Sequence, residues 1–241
     1  MTLNKQNMYS DSIKQWNVIV GCYFDCVYCR RSFQAQMRRQ QHNCLQCYTY
    51  TPHFHAERLN ASLPETYGDQ FIWACSSSDI SFSQEGWMNP TIERMKLKKD
   101  RTFFLQSKKP EWFKKYDFPS NVLLGITLET DSDLNYDRIS KAPPPMVRYK
   151  QFADLDCKNR KIVTIEPVLR WSYTELFLAH IKDIRPERVY IGYDTKRTKL
   201  MEPRLKQVQE LMKGLAKFTK VKPKLLREPW NYRLSSLEAY Q

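Results

Sequence analysis

Long apolar runs are missing from this sequence. No stretch of its 241 residues approaches the roughly 20 apolar residues that cross a bilayer as a helix, so no membrane partner is expected. The opening MTLNKQNMYSDSIKQW has no apolar core of the secretory kind, which makes the cytoplasm the expected compartment. Internal repeats and low-complexity tracts are also absent, which argues against solenoids and biased linkers. Acidic charge is scarce: 26 Asp and Glu stand against 39 Lys and Arg, a net charge of +13. Such an excess points to an anionic partner, nucleic acid first, the alternative being a solvated basic surface without a specific partner.

Apolar material is sufficient nonetheless. A hydrophobic fraction of 41% with 13% aromatics can bury a core across one domain covering residues 1–241. Six short apolar runs read as strands buried on both faces: 17–22 (NVIVGC), 71–76 (FIWACS), 102–107 (TFFLQS), 121–129 (NVLLGITLE), 161–167 (KIVTIEP) and 188–194 (RVYIGYD). Residues 222–227 can add an edge strand. Helices are expected at 90–98, with Pro90 in the first turn, and at 109–116, 173–182 and 203–218; 142–146 (APPPM) reads as a stiff extended loop. Strands alternating with helices predict a parallel α/β sheet with right-handed crossovers.

In such folds chemistry collects at the C-terminal strand ends, and every predicted end here is polar. They carry Cys22, then Ser76, Ser77, Ser78 and Asp79, then Gln106, Ser107 and Lys108, then Thr127 and Glu129, then Glu166, and last Tyr193 and Asp194. Ser78 and Asp79 also suit helix N-caps.

Five of the seven cysteines and three of the four histidines fall between residues 21 and 59. In a cytosolic chain they read as metal ligands rather than disulfides. Cys22, Cys26 and Cys29 are spaced C-x3-C-x2-C, suited to three corners of an iron–sulfur cluster with one iron left open. Cys26, Cys29, Cys44 and Cys47 also read as C-x2-C-x14-C-x2-C, a zinc ribbon, which would make the chain a nucleic-acid-binding protein without catalysis. The ribbon strands Cys22 and leaves a second set, C-x2-C-x5-H-x-H over Cys44, Cys47, His53 and His55, half used. Separate sites are therefore favoured: iron–sulfur on the first three cysteines, and zinc stapling an excursion over 30–60. Cys75 reads as a small buried hydrophobe, Cys157 as a loop thiol and His180 as a structural, hydrogen-bonded histidine.

A C-x3-C-x-aromatic-C loop after the first strand resembles the radical S-adenosylmethionine superfamily. With FIWACSSSD, TFFLQSKKPEWF, NVLLGITLET and IVTIEPVL in this order, residues 15–195 resemble a phage- and archaea-associated radical-SAM-like family of unknown function, with a more distant similarity to spore photoproduct lyase, which repairs DNA. The resemblance implies a (β/α)6 partial TIM-type barrel with its Cys/His-rich excursion after strand one. It further implies a [4Fe-4S] cluster on Cys22, Cys26 and Cys29, S-adenosylmethionine as cosubstrate with generation of a 5′-deoxyadenosyl radical, and an electron donor such as flavodoxin or ferredoxin. Tyr28, Ser76, Ser78, Asp79, Ser107, Thr127 and Glu129 would line the cofactor pocket, with Glu166 and Asp194 facing cofactor or substrate. One departure is plain: Ser76–Asp79 stands where the superfamily has Gly-Gly-Glu, so Asp79 or a serine would have to hold the methionyl amine. A scaffold that has lost its chemistry and serves as a partner in a phage or defence system is a further alternative.

Basic residues gather in three places. Residues 195–228 hold eleven Lys and Arg against three Glu; Arg30, Arg31, Arg38 and Arg39 form a second group, and eight more lie between Lys96 and Lys115. Phosphate backbones are drawn to such patches, and Tyr48, Tyr50, Phe54, Trp112, Phe113, Trp230 and Tyr232 are aromatics placed to stack on an unpaired base.

Overall fold

The structure, a computed structural model, describes residues 8–230. In chain order the strands are β1 (Ser12–Trp16), β2 (Ile19–Val20), β3 (His53–Phe54), β4 (Phe71–Ala74), β5 (Phe103–Gln106), β6 (Val122–Thr127), β7 (Lys161–Ile165), β8 (Arg188–Ile191) and β9 (Lys220–Pro223). Seven of them form one parallel sheet in the order β1-β4-β5-β6-β7-β8-β9, curled into a partial barrel, while β2 and β3 pair antiparallel beside it. Three short helices, α1 (Val27–Arg30), α2 (Phe33–Met37) and α3 (Leu45–Thr49), lie between β2 and β3. Four longer ones, α4 (Glu85–Leu97), α5 (Pro145–Ala153), α6 (Thr174–Ile184) and α7 (Leu205–Leu215), form crossovers between successive strands.

Side-chain alternation divides each strand between two cores. Outward residues such as Ile72, Leu105, Leu124, Val163 and Val189 pack under the helices, where Val208, Leu211 and Leu215 of α7 recur at helical spacing. Inward residues Phe71, Trp73, Phe104, Leu123, Ile162 and Tyr190 surround the wholly buried Tyr9. Its ring meets Trp73 and Tyr190 edge-on, both at 4.7 Å, and its hydroxyl lies between Gln106 Oε1 (2.8 Å) and Thr164 Oγ1 (2.9 Å). Gly125 makes room for this core, since a Cβ there would meet Phe104 Cε2 at 2.4 Å. Below Tyr9, Asp11 and Asp69 reach across to Arg188, Tyr190, Lys220 and Lys222 on the far strands, closing the N-terminal end of the barrel. The opposite, C-terminal mouth carries no such closing network of ion pairs among the described residues.

Several expectations need correction. A strict (β/α)6 unit is not what forms: the sheet has seven strands, the β5–β6 crossover is a 3-10 turn (Pro110–Lys115), and the link from β1 to β4 is the cysteine excursion. The first sheet strand is Ser12–Trp16, whereas the apolar run at 17–22 contributes only the two-residue β2. Helix α4 begins at Glu85 and carries Pro90 in its interior. Pro144 and Pro145 start a helix rather than extend a loop, because proline lacks the N–H that a first turn leaves unused. The expected edge strand is present as β9, which starts two residues and ends four residues earlier than the run at 222–227.

Candidate metal centre and active-site face

Cys44, Cys47, His53 and His55 bring one ligand atom each to within 4.8 Å of one another, and are the only such group of three or more among the described residues. Cys44 is the N-cap of α3 and Cys47 lies in its first turn, so the C-x2-C gap points both sulfurs one way; the Cys47 amide donates to Cys44 Sγ at 3.4 Å. His53 and His55 are two apart in extended chain, which places both rings on one face. Cys47 Sγ lies 3.3 and 3.2 Å from the two Nε2 atoms, Cys44 Sγ lies 3.5 Å from His53 Nε2, and the two Nε2 are 2.8 Å apart. Zn–S of ~2.3 Å and Zn–N of ~2.0–2.1 Å around a tetrahedron separate S and N by roughly 3.5 Å, close to what is seen. Each Nδ1 is engaged from behind: His53 donates to Thr51 O at 2.7 Å, and His55 meets Glu57 Oε1 at 2.9 Å. That fixes the tautomer leaving Nε2 bare, the usual support of a metal-bound imidazole. The four residues can hold a metal ion such as zinc, and the short H-x-H gap admits both histidines.

Gly21 joins this excursion to the first three cysteines. Its φ is +104°, and a Cβ would meet the Thr51 and Pro52 backbone at 2.4–2.5 Å, so only glycine fits. Its amide donates to Ser77 O (2.9 Å) and that of Cys22 to Tyr50 O (3.2 Å), tying the loop to the end of β4 and to the excursion. Cys22, Cys26 and Cys29 then gather at the mouth of the barrel among Phe24, Phe82, Ile139, Leu200 and Tyr28. Burial pushes the Cys22 thiol up, although the Phe24 amide donates to its sulfur at 3.4 Å. Cys26 is drawn down, first by a hydrogen bond from Cys29, with Ser140 Oγ 3.0 Å away; Cys29, supplying that bond, goes up. They do not converge on one point as the Cys44 group does. The donor set fits a multi-iron cluster: three soft thiols on one loop, in an apolar shell, with the Lys108 cation nearby.

Behind this loop lies a buried charge network. Glu129 and Arg148 have no exposed side-chain surface and pair at 2.8 Å. The same carboxylate accepts the hydroxyls of Tyr136 (3.0 Å) and Tyr28, and Arg148 donates to Thr127 O. Burial opposes charge on Glu129, but Arg148 and Lys108 hold its carboxyl below the usual range. Lys108 Nζ sits 5.4 Å from the Tyr28 ring centre. Burial works against its charge as well, and Cys26, Glu129 and Cys29 outweigh it. Lys108, read from the sequence at the third strand end and among the basic residues, was given no part in the cofactor pocket there. The alternation Phe104, Gln106, Lys108 turns it inward and was the available signal.

The remaining expected residues are close by but mostly engaged. Asp79 caps the turn at Ile80–Phe82 and accepts from Ser81, from Ser107 Oγ (2.7 Å) and from the Lys108 amide (2.7 Å). Ser107 is fully buried, while Ser76 bonds Asn17 and Ser78 bonds Cys75 O. Thr127 Oγ1 accepts from Gln106 at 2.8 Å. Asp194 accepts from the Lys196 amide and from the amide and hydroxyl of Thr198, pinning the loop after β8. Glu166 is different. Lys224 holds its Oε1 at 2.5 Å, but Oε2 is buried without a hydrogen-bond partner among the described residues.

Trp112 and Phe113 are core residues, so neither can stack on a base. Phe54 packs against the core, Tyr232 lies outside the described residues, and Trp230 keeps a partly open ring. Cys75 is buried as expected; the His180 ring lies 4.4 Å from that of Tyr149, with its Nδ1 unpaired where a bonded one was expected. No helix among the described residues is long and apolar enough to cross a membrane. No protein-family model and no curated protein matches this chain.

Proposed function

We propose that this chain is a radical S-adenosylmethionine enzyme of the cytoplasm, holding a [4Fe-4S] cluster on Cys22, Cys26 and Cys29 and acting on nucleic acid or a nucleotide-like anion. The observation that carries this is the partition of the cysteines. Cys44 and Cys47 complete a four-ligand site with two histidines, leaving three thiols together at the C-terminal mouth of a parallel partial barrel. The same partition speaks against a ribbon of Cys26, Cys29, Cys44 and Cys47. The chemistry such a group supplies when bound is one-electron reduction of a sulfonium, the electron coming from a carrier such as flavodoxin or ferredoxin.

The protein's own residues prepare the site. Tyr9 and the network beneath it close the barrel from below, so ligands enter from the cysteine side. Glu129 and Arg148 fix Tyr28 behind the loop, and Lys108 offsets negative charge that collects there. Glu166 Oε2, buried and without a hydrogen-bond partner among the described residues, would accept from a hydroxyl or amine of a molecule that reached it.

Anaerobic reconstitution followed by iron and zinc analysis tests the reading. Cys22→Ala is expected to lose the brown iron chromophore and nearly all iron while keeping zinc. Full iron with loss of zinc in that variant would overturn the assignment.

A further inference from the structure

A cavity of about 350 Å³ opens beside the cysteine loop, lined by Asp194, Arg197, Lys199, Leu200, Glu202 and Trp230. Leu200 also packs against the apolar group around Cys26 and Tyr28, and Arg31 donates to Arg197 O at 3.4 Å, so cavity and loop share a wall. Its two carboxylates are already engaged. Asp194 takes three donors from its own loop, and Glu202 accepts both Arg227 Nη groups (2.8 and 2.6 Å) and the Trp230 amide (3.0 Å). Its two cations are not: Arg197 and Lys199 are exposed and have no ion pair among the described residues. Both hold left-handed backbone, φ +50° and +62°, a strain that collects at ligand sites. The Arg227 guanidinium lies 3.5 Å from the Trp230 ring centre and Arg197 lies 5.4 Å from it, with 36% of the residue still open.

Cations without an ion pair among the described residues, beside a braced and about one-third open indole, match one class of ligand. We infer that this cavity is a nucleotide subsite, taking a phosphate on Arg197 and Lys199 and a base against the open part of Trp230. The inference deepens the substrate reading above and rests on it for the reaction served, but binding needs no iron. A polynucleotide and a free nucleotide both supply such a phosphate, and the probes separate these sources.

The test measures binding to the full chain, as isolated and after reconstitution, with a ten-residue single-stranded DNA, AMP and inorganic pyrophosphate at low salt. Arg197→Glu/Lys199→Glu is expected to weaken DNA or AMP binding about tenfold or more, as for lost charge-assisted phosphate contacts. Lys213→Glu/Lys217→Glu, at exposed positions in and just after α7, makes the same charge change and is expected to lose less than about twofold. Trp230→Ala is expected to weaken DNA and AMP by about fivefold or more and to leave pyrophosphate unchanged, since only a base stacks. Binding of DNA with none of AMP marks a polynucleotide subsite; binding of both marks a nucleotide one. No binding of either, or equal losses in the two charge-reversed variants, would overturn the inference. Binding by protein that takes up no iron would keep the subsite and sink the radical reading; a cluster without binding would do the reverse.

Discussion

A carboxylate with no exposed surface persists only if its charge is answered, and Glu129 is answered by Arg148, Tyr28 and Tyr136. Removing one member of such a pair leaves the other charged and dry, at a cost of about 3–5 kcal/mol. Glu129→Gln is therefore expected to lower the unfolding free energy by roughly that amount in denaturant titrations. Glu129→Leu/Arg148→Met should recover much of the loss, since no charge is then stranded. A Glu129→Gln protein within about 1 kcal/mol of the parent would show that the pair is solvated in solution. The sequence placed Glu129 at the end of the fourth predicted strand, and it stands two residues past the end of β6. Its partner was not legible, because Arg148 comes from a helix 19 residues on, in a stretch whose prolines read as loop. The same limit applies to Asp79 and Ser107, whose hydrogen bond joins two strand ends 28 residues apart.

Between residue and fold, the excursion of α1 to α3 and β3 has little core of its own, since among α2, α3 and β3 only Cys47 and His53 are buried. What holds it is the four-ligand group, the β2–β3 ladder and the close fit at Gly21. The binding energy of a structural metal is then folding energy. Cys47→Ser is expected to reduce zinc from about one per chain to near zero and to make residues 30–60 sensitive to protease, while β4 to β9 keep their protection from hydrogen exchange. Unchanged proteolysis after complete zinc removal would show that the excursion holds without metal. The C-x2-C-x5-H-x-H spacing made this element readable because ligand spacing is a local property. The first sheet strand was unreadable for the opposite reason. β1 pairs only with β4, its residues alternate between buried and open, and SIKQW lacks the continuous apolarity that marks central strands.

At the scale of the whole molecule, the sheet is curled enough that residues near its two edges meet at the N-terminal end. Asp69, just before β4, contacts Lys220 at 3.0 Å, Lys222 at 3.2 Å and Arg188 at 3.6 Å on strands at the other side. No periodicity encodes contacts about 150 residues apart, so the closure was legible only as a basic C-terminal region. That charge has two destinations: Lys220 and Lys222 serve the fold, while Arg197 and Lys199, at the opposite end, have no ion pair among the described residues. The hydrogen bond from Lys220, aided by Lys222 and Arg188, draws the Asp69 carboxyl down to about 2. A carboxyl whose folded pKa lies below its unfolded value of about 3.9 stabilises the fold above that value, and the stabilisation is lost as pH falls toward the folded pKa. Asp69→Asn is therefore expected to be less stable than the parent at pH 6, with the difference shrinking between about pH 4 and pH 2. Comparing urea midpoints of the two proteins at each pH cancels the acid release of metal common to both. Because the carboxylate is partly exposed, the gap at pH 6 should be small and should narrow in high salt. A gap independent of pH would mean that Asp69 supports the fold through shape or hydrogen bonding alone, and that its charge does not help draw the barrel closed.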